Sequence, residues 1–195
     1  MAHTKRTITI EYLTEDSPFT QSDYLYYVGI DPSYSSTGLV ILDGTHNVPL
    51  VNCHIKAGTP KDPFYVRVQK LLDALSDNLL HFNTDDIYVV MEGASFASEF
   101  NAFKLGKLSG VIEYFLGEHK IAYSLVAPTF AKKVATGKGS ADKLAVMQGV
   151  RNKWGFRSNC DDENDAYVMA QIARGARPDA PIKKRRRSKN VESST

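Results

Sequence analysis

Long apolar runs are missing from this chain. No stretch approaches the roughly 20 residues that span a bilayer, and no apolar signal region follows the charged start, Met-Ala-His-Thr-Lys-Arg. It is therefore expected to be soluble, without membrane contact, and to act in the cytoplasm or elsewhere inside the cell. Cysteine is scarce too: Cys53 and Cys160 are the only two, in no CxxC pairing, which supports neither a disulfide framework nor a zinc knuckle and suits a reducing compartment. The five histidines, at 3, 46, 54, 81 and 119, show neither HxxxH nor HExxH spacing and read as surface or turn residues rather than ligands. No GxSxG nucleophile elbow occurs. A phosphate-cradling P-loop is not supported, because Gly137-Lys138 lacks the glycine that the loop needs ahead of it.

What is present is enough for one domain: 195 residues with 43% hydrophobic content can bury a sizeable core. Charge is unevenly placed. Residues 177–195 hold seven Lys/Arg against Asp179 and Glu192, a local +5 within a net +2, which leaves the rest of the chain at about −3. That tail is expected to be disordered, since it has like charges and proline with almost nothing to bury. It reads as a solubilising segment, a nuclear or organellar address, or a non-specific phosphate contact. Residues 1–23 read as a loose arm, in which 8–13 could pair as a short edge strand.

Between these ends, 24–176 read as the folded domain. Three runs rich in β-branched and aromatic residues, at 25–31, 38–43 and 48–55, predict an antiparallel meander. A helix is expected over 63–83 with Val66, Leu71, Leu72, Leu75, Leu79 and Leu80 as its stripe. A strand at 87–91 delivers Glu92; a helix over 99–119, a strand at 121–126 and a short helix after Pro128 follow. Ser140 is the expected N-cap of a further helix reaching Trp154, and an acidic helix over 161–174 closes the domain. This order predicts a mixed β-sheet flanked by helices, an α/β fold.

Asp162 and Asp165 share one face of the acidic helix, and that face continues into Ala166, Met169, Ala170 and Ile172, which read as core. Acids in a first helical turn can simply oppose the macrodipole and cap free N–H groups. Alternatively, two like charges on a partly buried face call for a cation. Asp31 and Glu92, each at the end of an apolar strand, tip the balance toward the second reading. Four carboxylates converging this way suit hard, oxygen-liganded Mg²⁺ or Mn²⁺. Two such ions roughly 4 Å apart can activate water for in-line attack on a phosphodiester and stabilise the leaving oxygen. Gly38 would let the hairpin turn close to a substrate, though a plain turn also explains it.

The segments Gly29-Ile-Asp-Pro-Ser-Tyr-Ser-Ser-Thr-Gly38, Phe103-Lys-Leu-Gly-Lys-Leu-Ser-Gly-Val111, Lys132-Lys-Val-Ala-Thr-Gly-Lys-Gly-Ser-Ala-Asp-Lys143 and Asp162-Glu-Asn-Asp-Ala166, with the Glu92 strand end, occur in the order and approximate spacing of RuvC-type Holliday junction resolvases. The resemblance covers about 25–175. It implies an RNase H-like fold and a homodimer that makes paired nicks across four-way junctions in branched DNA, with Mg²⁺ and 5′-phosphate products. By position it makes Asp31, Glu92, Asp162 and Asp165 the metal-binding catalytic acids. Lys132 and Lys143 correspond to basic residues near the scissile strand, Lys143 as a catalytic group, with Lys133 and Lys138 as further backbone contacts. Phe96 stands about one position from the family's base-stacking aromatic; a core role is the alternative. The helix with Phe103, Leu108, Val111, Ile112, Phe115, Gly106 and Gly110 is either core or, by resemblance, the dimer interface. A relaxed flap and fork nuclease, or a non-catalytic junction-binding module, would fit the same pattern. An actin-fold ATPase is disfavoured because it needs a second lobe and glycine-rich adenosine contacts, and the chain has no Gly-Gly pair.

Overall fold

The computed structural model describes residues 11–17, 24–59, 61–93 and 99–178. The meander forms as the pattern predicts: β2 (Tyr26–Asp31), β3 (Thr37–Asp43) and β4 (Val51–Ile55) pair antiparallel in sequence. Then come α1 (Phe64–Leu79), a 3-10 turn at Thr84–Asp86, β5 (Ile87–Glu92), α2 (Glu99–Glu118), β6 (Ala122–Val126), α3 (Pro128–Thr136), α4 (Lys143–Trp154) and α5 (Asp161–Ala173). Ahead of them, β1 (Glu11–Leu13) lies parallel to β6 at the sheet edge. The sheet order is β1-β6-β5-β2-β3-β4, with β2, β5 and β6 parallel to one another. This is the mixed sheet expected, with an RNase H-like arrangement of strands and helices.

Apolar clusters cover both sheet faces, which is why the central strands read as continuous apolar runs rather than alternating ones. One cluster joins Tyr27, Val40, Leu42 and Val90 to α3, α4 and α5. The other joins Val28, Ile30, Leu39, Ile41, Val89 and Met91 to α1 and α2. Among the described residues, no helix is long and apolar enough to cross a membrane.

Several expectations are corrected. The first helix stops at Leu79, so Leu80 is 38% exposed, and its fully buried stripe is Arg67, Leu71, Leu75 and Leu79, with Val66 and Leu72 half-buried. An i+4 row of leucines thus begins with an arginine. Its Nη2 donates to the Tyr34 carbonyl and its guanidinium stacks on the Tyr34 ring at 3.8 Å, so the β2–β3 connection fills the place of an apolar partner. Asp142, not Ser140, caps α4, accepting from the Ala145 N–H at 2.8 Å. Phe103 is not core but 66% exposed, whereas Leu108, Ile112, Phe115 and Leu116 are buried.

Gly38 is no turn residue. It is buried in β3, and a Cβ there would lie 2.0 Å from the Asp162 carbonyl; at Gly29 in β2 it would lie 1.9 Å from that of Ala166. The backbone of α5 rests directly on two bare strand positions, a close approach that side chains would forbid.

Candidate active site

Strand register brings the first two acids together. Ile30 pairs with Met91 across the parallel β2–β5 ladder, so Asp31 and Glu92 leave adjacent strands side by side. Gly38, opposite Asp31 on β3, seats the first turn of α5, and this delivers Asp162 and Asp165 to the same sheet edge. Asp31 feels the charges of Glu92, Asp165 and Asp162, and Glu92 feels that of Asp165.

Burial, then these like charges, holds Asp31 well above the usual carboxylate range. Burial first and Asp165 second push Glu92 up to about 7. Asp165 rises to about 6, chiefly by burial, with Lys143 and Lys132 opposing. Carboxylates that cling to protons this way fit a hard divalent cation, whose charge relieves both causes at once. The first-turn acids Asp161, Asp162 and Glu163 oppose the helix macrodipole, but the N-cap is Cys160, with no side-chain cap bond. Asp161 pairs instead with Lys143 at 3.1 Å. Glu163 turns away to accept from Ser158 at 2.6 Å and from Asn52 and His54 at 2.9 Å.

The lysines separate. Lys132 on α3 acts electrostatically on Glu92 and Asp165, and Lys143 at the start of α4 acts on Asp31 and Asp165. Lys143 is 71% exposed and its bond to Asp161 raises its own proton affinity. Lys133 is engaged by Glu15, 2.5 Å away beyond β1. Lys138 lies exposed in the α3–α4 connection, its backbone N–H held by Thr136 Oγ1 at 3.1 Å. Phe96 lies outside the described residues. Two groups beside the site were not anticipated. Arg67, 3% exposed, anchors the loop that follows Asp31, and His54 is a strand residue bonded to the acidic helix rather than a turn residue. No sequence periodicity links His54 to Glu163, which stands 109 positions away.

A pH dependence follows. The folded state binds protons at Glu92 and Asp165 more tightly than the unfolded chain, so the stability they add is complete below their unfolded values of 4.5 and 3.8. It is lost as pH rises through about 6 and about 7. In EDTA, the protein is expected to melt higher at about pH 5 than at about pH 8. The difference is on the order of a few kcal/mol, since tenfold in proton affinity is about 1.4 kcal/mol. Mg²⁺ should narrow it. Well below that range the trend reverses as Asp43, held low by hydrogen bonds from His46 and Thr45, takes up its proton. Scanning fluorimetry across pH checks this; a melting point that falls from about pH 8 to about pH 5 in EDTA would contradict it.

A mixed sheet with acids at the ends of β2 and β5 and on the first turns of α5 defines an RNase H-like fold with an acidic sheet edge. The family model for crossover junction endodeoxyribonuclease RuvC matches residues 27–172, and the chain belongs to that family. It is 26% identical over 147 residues to the crossover junction endodeoxyribonuclease RuvC of Gloeobacter violaceus, covering 73% of this chain and 84% of that one. With the protein of the same name from Xanthomonas oryzae pv. oryzae it shares 28% over 154 residues, covering 73% and 83%. Thermus thermophilus RuvC in complex with Holliday junction substrate superposes with a TM-score of 0.63 at 23% identity, covering 80% of this chain and 99% of that one, which bears on fold.

Proposed function

We propose that this chain is a divalent-metal-dependent endonuclease that nicks four-way DNA junctions symmetrically as a homodimer, leaving 5′-phosphate ends. The observation that carries the reading is the convergence of Asp31, Glu92 and Asp165, each raised in proton affinity by burial, at one sheet edge. Family membership supports the substrate class: Thermus thermophilus RuvC, which shares the fold, has been solved in complex with Holliday junction substrate. We assign the activity to residues 24–176, acting inside the cell, where that substrate lies.

In this reading Asp31, Glu92, Asp162 and Asp165 hold the metal, Mg²⁺ by preference with Mn²⁺ as a substitute, because an all-oxygen donor set selects hard cations. When bound, the metal supplies an acidified water and positive charge at the departing oxygen. Lys143 is exposed and anchored by a single carboxylate, so its ammonium can move to a phosphate gaining charge and stabilise it. Lys132 and Lys138 contact the DNA backbone; Lys133 does so only by giving up Glu15. The basic tail adds sequence-independent phosphate contacts.

The outward face of α2 is the surface we assign to the dimer. Phe103 and Tyr114 are 66% and 67% exposed there. On the same helix, a Cβ at Gly106 or Gly110 would meet nothing within 4 Å, leaving room for a second backbone. Two-fold pairing matches two equivalent sites to two equivalent junction strands.

The test is cleavage of a labelled synthetic four-way junction beside a matched duplex, a flap and a fork, with Mg²⁺, Mn²⁺ or EDTA. Symmetric, metal-dependent nicks confined to the junction are expected. Equal cutting of every branched substrate would make the chain a general branch nuclease. Binding without cutting under either ion would make it a junction-binding module.

A further inference from the structure

Beside the acids, but built from different donors, lies a second cluster. One ring nitrogen of His54 on β4, the thiol of Cys160 at the N-cap of α5 and one carboxylate oxygen of Glu163 all lie within 4.8 Å of one another. We infer that these three side chains form a separate cation site, suited to a borderline-soft divalent ion such as Zn²⁺ rather than to Mg²⁺.

The donor set argues for that choice: a nitrogen, a sulfur and an oxygen together match zinc, whereas magnesium demands oxygen. So does the geometry. Tetrahedral zinc with bonds of about 2.0–2.3 Å sets its ligand atoms roughly 3.3–3.8 Å apart, so the 2.9 Å His54–Glu163 contact must open slightly, while no pair in the cluster exceeds 4.8 Å. His54 has a side chain 38% exposed, so it can make that adjustment and leaves a way in. Glu163 is already aimed: Asn52 and Ser158 hold its Oε2 at 2.9 and 2.6 Å, while Oε1 faces His54 Nδ1 at 2.9 Å. Such outer partners are what orient a ligating carboxylate.

Cys160 is held as well. Its backbone N–H donates to Ser158 Oγ at 3.0 Å, and its thiol has a weak, 4.0 Å contact to Asp162 Oδ2. Binding releases the Cys160 thiol proton to solvent, while a neutral His54 ring that carries its proton on Nδ1 shifts it to Nε2 to free that nitrogen; no oxidant or further reactant is needed. The bound ion would brace β4 to the start of α5, through Cys160 two residues before Asp162 and Glu163 one after it. Three protein ligands leave a fourth position for water, as in open zinc sites.

Co²⁺ titration of the full chain tests this, because cobalt in a thiolate site shows sulfur-to-metal charge-transfer absorption that an all-oxygen site lacks. One equivalent should produce the absorption and Zn²⁺ should bleach it. In Cys160→Ser the absorption should vanish. In His54→Ala the Co²⁺ affinity should fall by at least the roughly 10–100-fold that loss of an outer partner costs. Asp31→Asn and Cys53→Ser should keep it, which separates this site from the four acids and from the other thiol. Zn²⁺ should also raise the melting temperature of the wild type more than that of Cys160→Ser. Absence of thiolate absorption, its survival in Cys160→Ser, or its loss in Cys53→Ser would overturn the inference. The His54–Glu163 pair would then be a structural brace alone.

Discussion

Asp31→Asn is expected to lower junction cleavage by at least about 10³-fold, the upper range for removing one group from a preorganised electrostatic site. The fold and junction binding should be retained. Asn is nearly isosteric with Asp but carries no charge. It therefore weakens the hold on a hard cation and removes the group on which burial and the charges of Glu92, Asp165 and Asp162 all press. The same substitution should make the metal-free protein more heat-stable at about pH 8, since an uncompensated buried charge is among the more costly features a fold can carry. Fluorimetry in EDTA and single-turnover cleavage in Mg²⁺ read the two effects separately. Cleavage within about tenfold of the wild type would remove Asp31 from the catalytic set.

Gly38→Ala is expected to damage stability and activity together. The added methyl would sit 2.0 Å from the Asp162 carbonyl, a backbone atom that no rotamer change can move aside. The first turn of α5 must therefore lift, carrying Asp162 and Asp165 away from Asp31. Ordinary overpacking costs about 1–3 kcal/mol, and this contact is tighter, so a loss of about 3 kcal/mol in urea unfolding is the expected scale. Gly29→Ala, where the methyl would lie 1.9 Å from the Ala166 carbonyl, should destabilise at least as much. It acts a turn deeper along α5, farther from Asp162. The pair can thus be told apart by the residual cleavage of whatever fraction remains folded. Unchanged urea midpoints in both variants would mean that α5 does not rest on β2 and β3 as described.

Much of this architecture was legible beforehand because it is written in local pattern. The meander, the strand ending at Glu92 and the acidic helix each follow from side-chain periodicity and turn residues, and the observed bounds differ mainly at ends. The departures have local causes of their own. Asp142 takes the cap from Ser140 because its carboxylate reaches the Ala145 N–H. Arg67 takes a core position because stacking on Tyr34 and a bond to the Tyr34 carbonyl substitute for apolar contact. Phe103 escapes the core because the inward face of α2 is already filled by Leu108, Ile112, Phe115 and Leu116.

By itself, then, the sequence determined the element order, the two-sided core and the identity of four acids placed at element ends, since each depends on neighbours along the chain. Tertiary structure alone decided which groups meet. The parallel β2–β5 register sets Asp31 beside Glu92. Bare backbone at Gly29 and Gly38 lets α5 approach closely enough to add Asp162 and Asp165. Lys132 reaches the acids while its neighbour Lys133 binds Glu15. His54 finds Glu163 across 109 positions. Contacts of that kind arise from strand pairing and helix packing between distant segments, and no one-dimensional periodicity encodes the distance between two elements that meet only after folding.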